Sequence, residues 1–249
     1  MTRQARSVML AVAGAAVAVM LVWGLTAMPA FGRGDHPYRD RAVTAAVAHH
    51  TANVVSSVNF DSRGFDTLGE ESILLASVMG VAILARRAKD EEETSGLRPG
   101  RILDLTAFGG YVMLPVTLII GFDVVTHGHL TPGGGFQGGV VIGTGLHLLY
   151  VAGRYPALRK IRPVRPFEWG EAVGAGAFAA LGVAGVLVSG AFLANVIPTG
   201  TFGQLLSGGT VPLLNGAVGV EVASGTMVLL AKFLEQAILL RSPQQGEET

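Results

Sequence analysis

Long apolar runs, separated by short polar segments, dominate the hydropathy pattern of this chain. Six of them are predicted as helices, at residues 8–28, 68–85, 102–125, 136–152, 172–194 and 212–240. About 20 apolar residues are enough for a helix to cross the roughly 30 Å hydrocarbon core of a bilayer. The pattern therefore predicts an all-α integral membrane protein with about six transmembrane helices.

Two stretches near the start of the chain allow more than one interpretation. The first run follows Arg3 and Arg6, which is also how a signal peptide begins. It is longer than the about 7–15 apolar residues of such a peptide, which favours a retained helix. Residues 42–58 are rich in Ala and Val but carry His49 and His50. They are predicted as a short helix on the membrane surface or docked on other subunits.

Basic residues alternate from loop to loop along this map. Five Lys and Arg lie within residues 86–101 and five within 154–165, whereas residues 126–135 and 195–211 have none. Cytoplasmic loops carry the Lys/Arg excess, so both termini are expected in the cytoplasm. The loop after the first run has four Arg, but it is longer and also holds four Asp. Long loops count less in predicting orientation from Lys and Arg.

Composition agrees with a membrane protein and narrows the chemistry. Hydrophobic residues make up 50% of the 249 residues and charged residues 14%, against about 25% charged in soluble domains. The net charge of zero argues against nucleic acid as a partner. Without cysteine there is no thiolate metal site or cysteine nucleophile. Since no cofactor or catalytic motif is present either, we expect a protein that is not an enzyme and has no cofactor or bound metal.

An acidic segment divides the chain. Asp90 to Glu93 are all acidic and are followed by Thr94, Ser95 and Gly96, which is typical of a solvated linker. We therefore predict a two-helix module with an extracytoplasmic segment at residues 1–90, a linker at 91–100, a four-helix module at 101–241 and a polar tail at 242–249.

The stretch from Gly128 to Gly139 lies between two of the apolar runs. Its structural motif comprises Pro132, Gly133, Gly134, Gly135, Phe136, Gly138 and Gly139. A formal G-x-G-x-x-G match is present, but a membrane helix precedes it instead of a strand, so nucleotide binding is rejected. Pro132 is predicted to begin the fourth helix, where its missing N–H costs nothing.

Glycine recurs at every fourth position within that helix, at Gly135, Gly139 and Gly143. Such a small-residue face lets membrane helices approach closely, so packing against a partner helix is one interpretation. The other is an unwound helix end whose free N–H groups admit water or an ion. Both interpretations stay open.

Ionisable residues within membrane spans are expensive and often functional. The candidates for an ion or proton pathway are Glu70, Asp123, His129, Glu221 and Lys232. Glu221 is the deepest of them. Lys232 lies near the inner end of its run, where its side chain can also reach the interface.

Some of these residues and their neighbours also have interpretations other than a pathway role. Glu70 and Glu71 open the second run, where carboxylates also suit the helix dipole. Asp123 and His127 are four residues apart and would share a helix face, either as a hydrogen-bonded pair or as a proton relay. They are too few for a structural metal site, which usually has four ligands. His147 is expected to be a satisfied polar residue in a helix interface.

The glycine stretch resembles the signature of a known family, the B subunit of multisubunit Mrp-type cation/proton antiporters. The related component of membrane-bound hydrogenases is similar, and the resemblance covers about residues 98–240. Upstream, residues 59–70 resemble the Asp-Phe-Arg-Gly-Phe-Asp-Thr-Leu-Gly-Glu element of a second, MbhE-like module, with a different start before Arg63. The chain thus resembles a fusion of both modules.

This resemblance implies a non-catalytic subunit of a complex that exchanges Na⁺ or K⁺ for H⁺. Its expected partners are the other antiporter subunits, membrane lipids, monovalent cations and protons. Its expected location is the bacterial cell (inner) membrane, as a multi-pass protein. The alternatives are an ion-translocating subunit of a membrane-bound hydrogenase or respiratory complex and, as a third possibility, a stand-alone transporter.

Overall fold

The computed structural model describes residues 3–28, 32, 34, 36–85, 103–152 and 165–239. Within them the chain is helical and contains no strand, which confirms the predicted all-α class. The helices are α1 (Arg3–Thr26), α2 (Pro37–Ala48), α3 (Val54–Ser57), α4 (Gly64–Leu84), α5 (Asp104–Thr126), α6 (Gly135–Ala152), α7 (Arg165–Ser189) and α8 (Val211–Leu239), with a π-helical turn (Val58–Ser62) before α4. The predicted linker at 91–100 and the tail at 242–249 lie outside the described residues.

The chain divides into two compact units, Met1–Asp40 and Arg41–Thr249. The first contains α1, an apolar helix long enough to cross a membrane. The second contains α3 to α8, so that α4 packs with the helices that follow the predicted linker. The division into modules at residues 91–100 stays a prediction.

Five of the described helices have the length and apolar composition of a membrane span. They are α1, α4, α5, α7 and α8. Helix α6, with 18 residues, coincides with the predicted run at residues 136–152. A six-helix count and the cytoplasmic position of both termini therefore stay predictions, whereas a multi-pass membrane protein is established.

Helix α7 differs most from its predicted bounds. It begins at Arg165 and ends at Ser189, seven and five residues earlier than expected. Glu168 lies in its first turn, where a carboxylate suits the positive end of the helix dipole. Gly190 adopts a φ of 77° just after the last turn, which is a common way for a helix to stop.

Residues 42–58 do not form the single helix that was predicted. Helix α2 ends at Ala48, and His50 takes a φ of 56°, which turns the chain. Asn53 then begins α3, because its side chain accepts hydrogen bonds from the backbone N–H of Val55 (3.1 Å) and Ser56 (3.4 Å). A polar break thus separates two short helices.

Helix α8 lies at the centre of the second unit. In its apolar window 56% of the residues are buried, against 17–22% in α4, α5 and α7. It packs against all of these helices and against α6. Near its first residue, an apolar cluster includes Phe60, Phe178, Leu214 and Val218. The segments 49–63, 127–134 and 190–210 meet at this end of the bundle, which we call the loop end.

A buried carboxyl cluster as the candidate functional site

The glycine stretch forms the tight connection between α5 and α6. Helix α6 begins at Gly135, so the prediction that Pro132 starts this helix is wrong. The reason is that Gly133 and Gly134 take φ values of 138° and 141°, which side chains other than glycine rarely adopt. A methyl group on Gly133 would also come within 2.8 Å of Val124. Pro132 and Gly133 therefore belong to the connection rather than to the helix.

The small-residue face of α6 lies directly against α8. A Cβ atom on Gly135 would lie 2.6 Å from Cβ of Val218, and one on Gly139 would lie 2.8 Å from Cβ of Val222. Gly143 meets Thr226 in the same way. On its other side, Gly138 meets Val125 of α5, while Phe136 packs against the apolar cluster at the loop end. These contacts make the motif a closely packed helix interface.

Two asparagines fasten this connection to the rest of the bundle. Asn215 of α8 accepts a hydrogen bond from the backbone N–H of Gly135 (2.9 Å) and donates to Ser56 Oγ (3.0 Å). Asn53 donates to the carbonyls of Gly128 (2.7 Å) and Thr131 (2.9 Å). The polar ends of the α5–α6 connection are therefore satisfied by side chains, and neither asparagine was predicted for this task.

Three carboxyl groups from three helices meet in the interior of the bundle. Glu71 of α4, Glu171 of α7 and Glu221 of α8 are only 1%, 4% and 0% exposed. The carboxyl groups of Glu71 and Glu221 lie within hydrogen-bonding reach of one another. We call these three residues the carboxyl cluster.

Glycines let the helices of the cluster approach one another. A Cβ atom on Gly174 of α7 would lie 2.7 Å from Cβ of Glu221. A Cβ atom on Gly225 of α8 would lie 3.2 Å from Oε1 of Glu171. Gly225 is one helical turn after Glu221, so Glu171 lies about 6 Å further from the loop end than Glu221 does.

The hydrogen bonding of the carboxyl cluster is incomplete. Both oxygens of Glu71, both of Glu221 and Oε1 of Glu171 are buried, and no donor of the described chain reaches them. An ionised carboxylate only accepts hydrogen bonds, so Glu71 and Glu221 bond to each other only when one of them carries a proton. Two adjacent carboxylates strongly disfavour double ionisation unless a cation compensates them. The arrangement can therefore hold a proton or a cation.

The predicted pathway residues map unequally onto this cluster. Glu221 belongs to it, but Glu70 is exposed on the outer surface of α4, and its neighbour Glu71 points inward instead. Lys232 is partly buried on α8, about 16 Å along the helix from Glu221. Glu171 was not predicted, because the expected fifth run began only at residue 172.

Asp123 and His127 form the predicted pair at the end of α5. His127 Nδ1 lies 3.0 Å from Asp123 Oδ1, and both side chains are largely accessible, at 39% and 67%. No group of three or more metal-binding side chains occurs among the described residues. In the α6–α8 interface, His147 Nε2 lies 3.2 Å from the carbonyl oxygen of Thr226, as expected for a satisfied polar residue.

His129 is fully buried at the loop end, away from the carboxyl cluster. Neither ring nitrogen has a hydrogen-bond partner in the described chain. Burial lowers the pKa of His129 below its ordinary value of 6.5, although the backbone of Gln204 and Leu205 beside the ring acts in the opposite sense. The imidazole is therefore held in its neutral form.

Separate from the carboxyl cluster, one carboxyl group is buried at the loop end. The Asp61 side chain is 4% exposed and lies 3.4 Å from His49 Nδ1, while Ser57 Oγ donates to it at 3.1 Å. Burial raises the pKa of Asp61, and the neighbouring His49 and Ser57 oppose that shift. The sequence placed His49 in a segment rich in Ala and Val and gave no signal for this contact.

The fold and these sites define a polytopic α-helical membrane subunit. A family model described as a domain related to the MnhB subunit of a Na⁺/H⁺ antiporter matches residues 105–228. A second family model, MbhE (the E subunit of MBH), matches residues 2–99. The chain therefore carries an MnhB-related domain, preceded by an MbhE domain.

Relatives occur in archaea and bacteria. An uncharacterised protein of Methanocaldococcus jannaschii is 29% identical over 217 residues, which are 79% of this chain and 82% of that protein. A probable A/B subunit of a K⁺/H⁺ antiporter of Rhizobium meliloti is 27% identical over 138 residues. That match covers 47% of this chain and 14% of the larger protein.

Two solved structures are similar over most of the chain. A chain of the membrane-bound sulfane sulfur reductase, an archaeal respiratory membrane complex, has a TM-score of 0.68 and 26% identity. The match covers 92% of this chain and 98% of that one. A chain of the Mrp complex from Dietzia sp. DQ12-45-1b has a TM-score of 0.66 and 23% identity over all of this chain and 27% of that chain. The second likeness concerns the fold.

Proposed function

We propose that this protein is a non-catalytic membrane subunit of a multisubunit cation/proton antiporter, which exchanges a monovalent cation, Na⁺ or K⁺, for protons. The MnhB-related domain and the antiporter relative of Rhizobium meliloti support this function. The partners are other subunits of the complex. We place the complex in the cell (inner) membrane of a bacterium.

The observation that carries the proposal is the carboxyl cluster. Glu71 and Glu221 face each other in the interior of the bundle, and no donor of the described chain reaches any of their four oxygens. Buried polar groups are normally paired, so an unpaired set of this kind calls for a specific explanation. In a transport protein such groups mark the path of an ion or a proton.

The cluster can exchange one cation for one proton. With a proton shared between Glu71 and Glu221, the two carboxyl groups carry one negative charge, and a monovalent cation that replaces the proton leaves this net charge unchanged. Binding of either species therefore weakens binding of the other, which is the linkage that antiport requires. Glu171 extends the polar region away from the loop end and offers the next acceptor.

The apolar cluster closes the opposite side of the site. Leu214 and Val218 precede Glu221 on α8, so they lie between the carboxyl cluster and the loop end. Phe60 and Phe178 complete this layer, with ring centroids 6.2 Å apart. Exclusion of water by these side chains strengthens electrostatic interactions among the carboxyl groups.

The remaining predicted residues lie away from the cluster. Asp123 is at the membrane surface, His129 is buried at the loop end and Lys232 lies towards the other end of α8. We retain them as candidates for the approach of ions or protons to the protein. Substitution of any one of them is expected to impair transport less than substitution of Glu221.

Transport by the reconstituted complex tests the proposal. Glu221→Gln and Glu71→Gln keep the size of each side chain but remove the exchangeable charge, so cation-driven proton movement in vesicles should fall at least tenfold while the complex still assembles. Glu168→Gln is the matched control, since Glu168 is exposed in the first turn of α7. Normal transport by both cluster variants would disprove the pathway role and leave this protein with a packing role alone.

One observation favours a second candidate function. The structural match covers 98% of the similar chain from the archaeal sulfane sulfur reductase complex. The same protein could thus serve as the ion-translocating part of a respiratory or membrane-bound hydrogenase complex. Copurification distinguishes the two: iron–sulfur or nickel-binding subunits would favour the redox complex, and only further membrane subunits would favour the antiporter.

A further inference from the structure

An exposed carboxyl group lies on the lateral surface of α4. Glu70 is the seventh residue of the helix, about 9 Å along its axis from Gly64. Its side chain is exposed, whereas that of Glu71 is buried. A charged side chain at this depth is costly against lipid and is normally found facing protein or a water-filled cavity.

Two other exposed carboxylates near the ends of described spans have a basic neighbour. Asp66 forms an ion pair with Arg63, and Asp123 forms one with His127 at 3.0 Å. Within the described part of the chain, no ion pair or hydrogen bond involves Glu70, and its neighbour Glu71 carries a group of the same charge type. Its counter-charge must therefore come from outside the described residues.

The helix surface beside Glu70 is built from small residues. At 100° per residue, Gly69, Ala76 and Gly80 fall within an arc of about 40°. Glu70 lies on the flank of this arc, about 60° from Ile73 and about 80° from Gly80. A Cβ atom on Gly69 or Gly80 would meet no atom within 4 Å, and Ile73 between them is 69% exposed. Membrane helices pack closely on such surfaces, because lipid tails give no advantage to burying large side chains.

We infer that this face of α4, formed by Gly69, Glu70, Ile73, Ala76 and Gly80, docks a transmembrane helix of a partner protein that presents a Lys or Arg side chain beside Glu70. Charge complementarity selects this occupant. A second copy of the chain packed through the same face would bring two Glu70 carboxylates towards each other, which is unfavourable. Lipid tails would leave the charge without a partner.

Crosslinking from a single cysteine tests the docking surface directly. The chain has no natural cysteine, so Ala76→Cys introduces one thiol on this face. In membranes that hold the whole complex, a short thiol-reactive crosslinker should join it to a partner helix that contains Lys or Arg. Gly176→Cys on α7 is the control, since that position is also exposed and open. Crosslinks only to a second copy, or only to lipid, would overturn the inference.

Bulk and charge provide two further measurements. Gly80→Leu should reduce the recovered partner at least tenfold, and Gly176→Leu should not, although neither new side chain meets an atom of this chain at Cβ. Glu70→Lys should have a similar effect and be reversed by a Lys→Glu or Arg→Glu change in the crosslinked helix. Equal recovery from both leucine variants would refute the docking surface. Because the readout is assembly, this result is independent of whether the carboxyl cluster transports ions.

Discussion

The two sides of α8 use the same kind of packing for different purposes. Towards α6, the helix presents Val218, Val222 and Thr226 to glycines of the neighbouring helix. Towards α7, it presents Glu221 and Ser224, which approach Gly174 and Gly170. Glycine brings the backbones close on both sides, but only the second side encloses carboxyl groups.

The two sides of α8 differ in how completely their polar atoms are hydrogen-bonded. On the α6 side Asn215 is fully hydrogen-bonded, and the carbonyl of Thr226 receives His147. On the α4 and α7 side, no donor among the described residues reaches the oxygens of Glu71 and Glu221. A satisfied polar group stabilises a fold, whereas an unsatisfied one lowers its stability. The α6 side is therefore expected to matter for stability and the other side for transport.

The largest effect is expected from filling the α6 interface. Gly139→Leu would place a Cβ atom 2.8 Å from Cβ of Val222 and 2.9 Å from the carbonyl oxygen of Gly219. Because a backbone atom blocks the new side chain, the helices must separate, at a cost above the about 1–3 kcal/mol of ordinary overpacking. We expect almost none of the protein in the membrane by immunoblot. Gly109→Leu on α5, where a Cβ meets nothing, is the control.

The next largest effect concerns the hydrogen bonds of the same side. Asn215→Ala removes the acceptor of the Gly135 N–H and the donor to Ser56, and leaves a buried N–H unpaired. Loss of such a group costs about 1–3 kcal/mol. The thermal unfolding midpoint of the purified complex should fall, whereas Gln137→Ala, at an exposed position, should leave it unchanged. An unaltered midpoint for Asn215→Ala would show that water replaces its bonds.

Hydropathy predicted the helices of this bundle well, because the length of an apolar run is a local property. The run at residues 212–240 corresponds to α8 within one residue at each end. The bounds of α7 were missed because its first turn carries Glu168 and because Gly190 ends it. Charged first turns and glycine stops depend on local hydrogen bonding, which hydropathy does not register.

The carboxyl cluster could be predicted only in part. Glu221 was selected because it lies deep in a long apolar run, and depth can be read from the sequence. Glu70 and Glu71 are adjacent, so only the rotation of α4 against α7 and α8 decides which of them is buried. Glu171 lay just before its predicted run. Asn215 gave no signal, since its role depends on a contact with Gly135, 80 positions away in the chain.

Replacing a buried carboxyl group of the cluster should change the free energy of unfolding in the opposite direction from replacing Asn215. Glu221→Met keeps a similar volume and replaces two oxygens without donors by apolar atoms. Such a replacement is expected to raise the free energy of unfolding by about 1–2 kcal/mol while transport is lost. Thermal unfolding and vesicle transport, measured on the same preparation, check both. A destabilised Glu221→Met complex would indicate that the loss of its bond to Glu71, or to a donor outside the described residues, outweighs this gain.

The smallest effect concerns His129. Unlike the hydrogen-bonded polar groups on the α6 side of α8, its ring is buried without a hydrogen-bond partner in the described chain. It is fully buried beside the α5–α6 connection, yet neither ring nitrogen is paired within the described chain. Burial lowers the pKa of His129 in the folded state below the ordinary 6.5, so the unfolded chain binds a proton more readily than the folded one. The stability that depends on the neutral ring is therefore complete above about pH 6.5 and is lost as the pH falls below it.

The loss can reach at most about 1.4 kcal/mol for each pH unit below that value, because a single proton is involved. Unfolding midpoints at about pH 7.5 and pH 5.5 should differ less in His129→Gln than in the natural complex. His127→Gln, at a half-exposed position four residues after Asp123, should retain the full acid-dependent loss. If His129→Gln retained it as well, a protonated His129 would have to be accommodated at the loop end. The unpaired nitrogens would then resemble the carboxyl cluster in function rather than the satisfied side of α8.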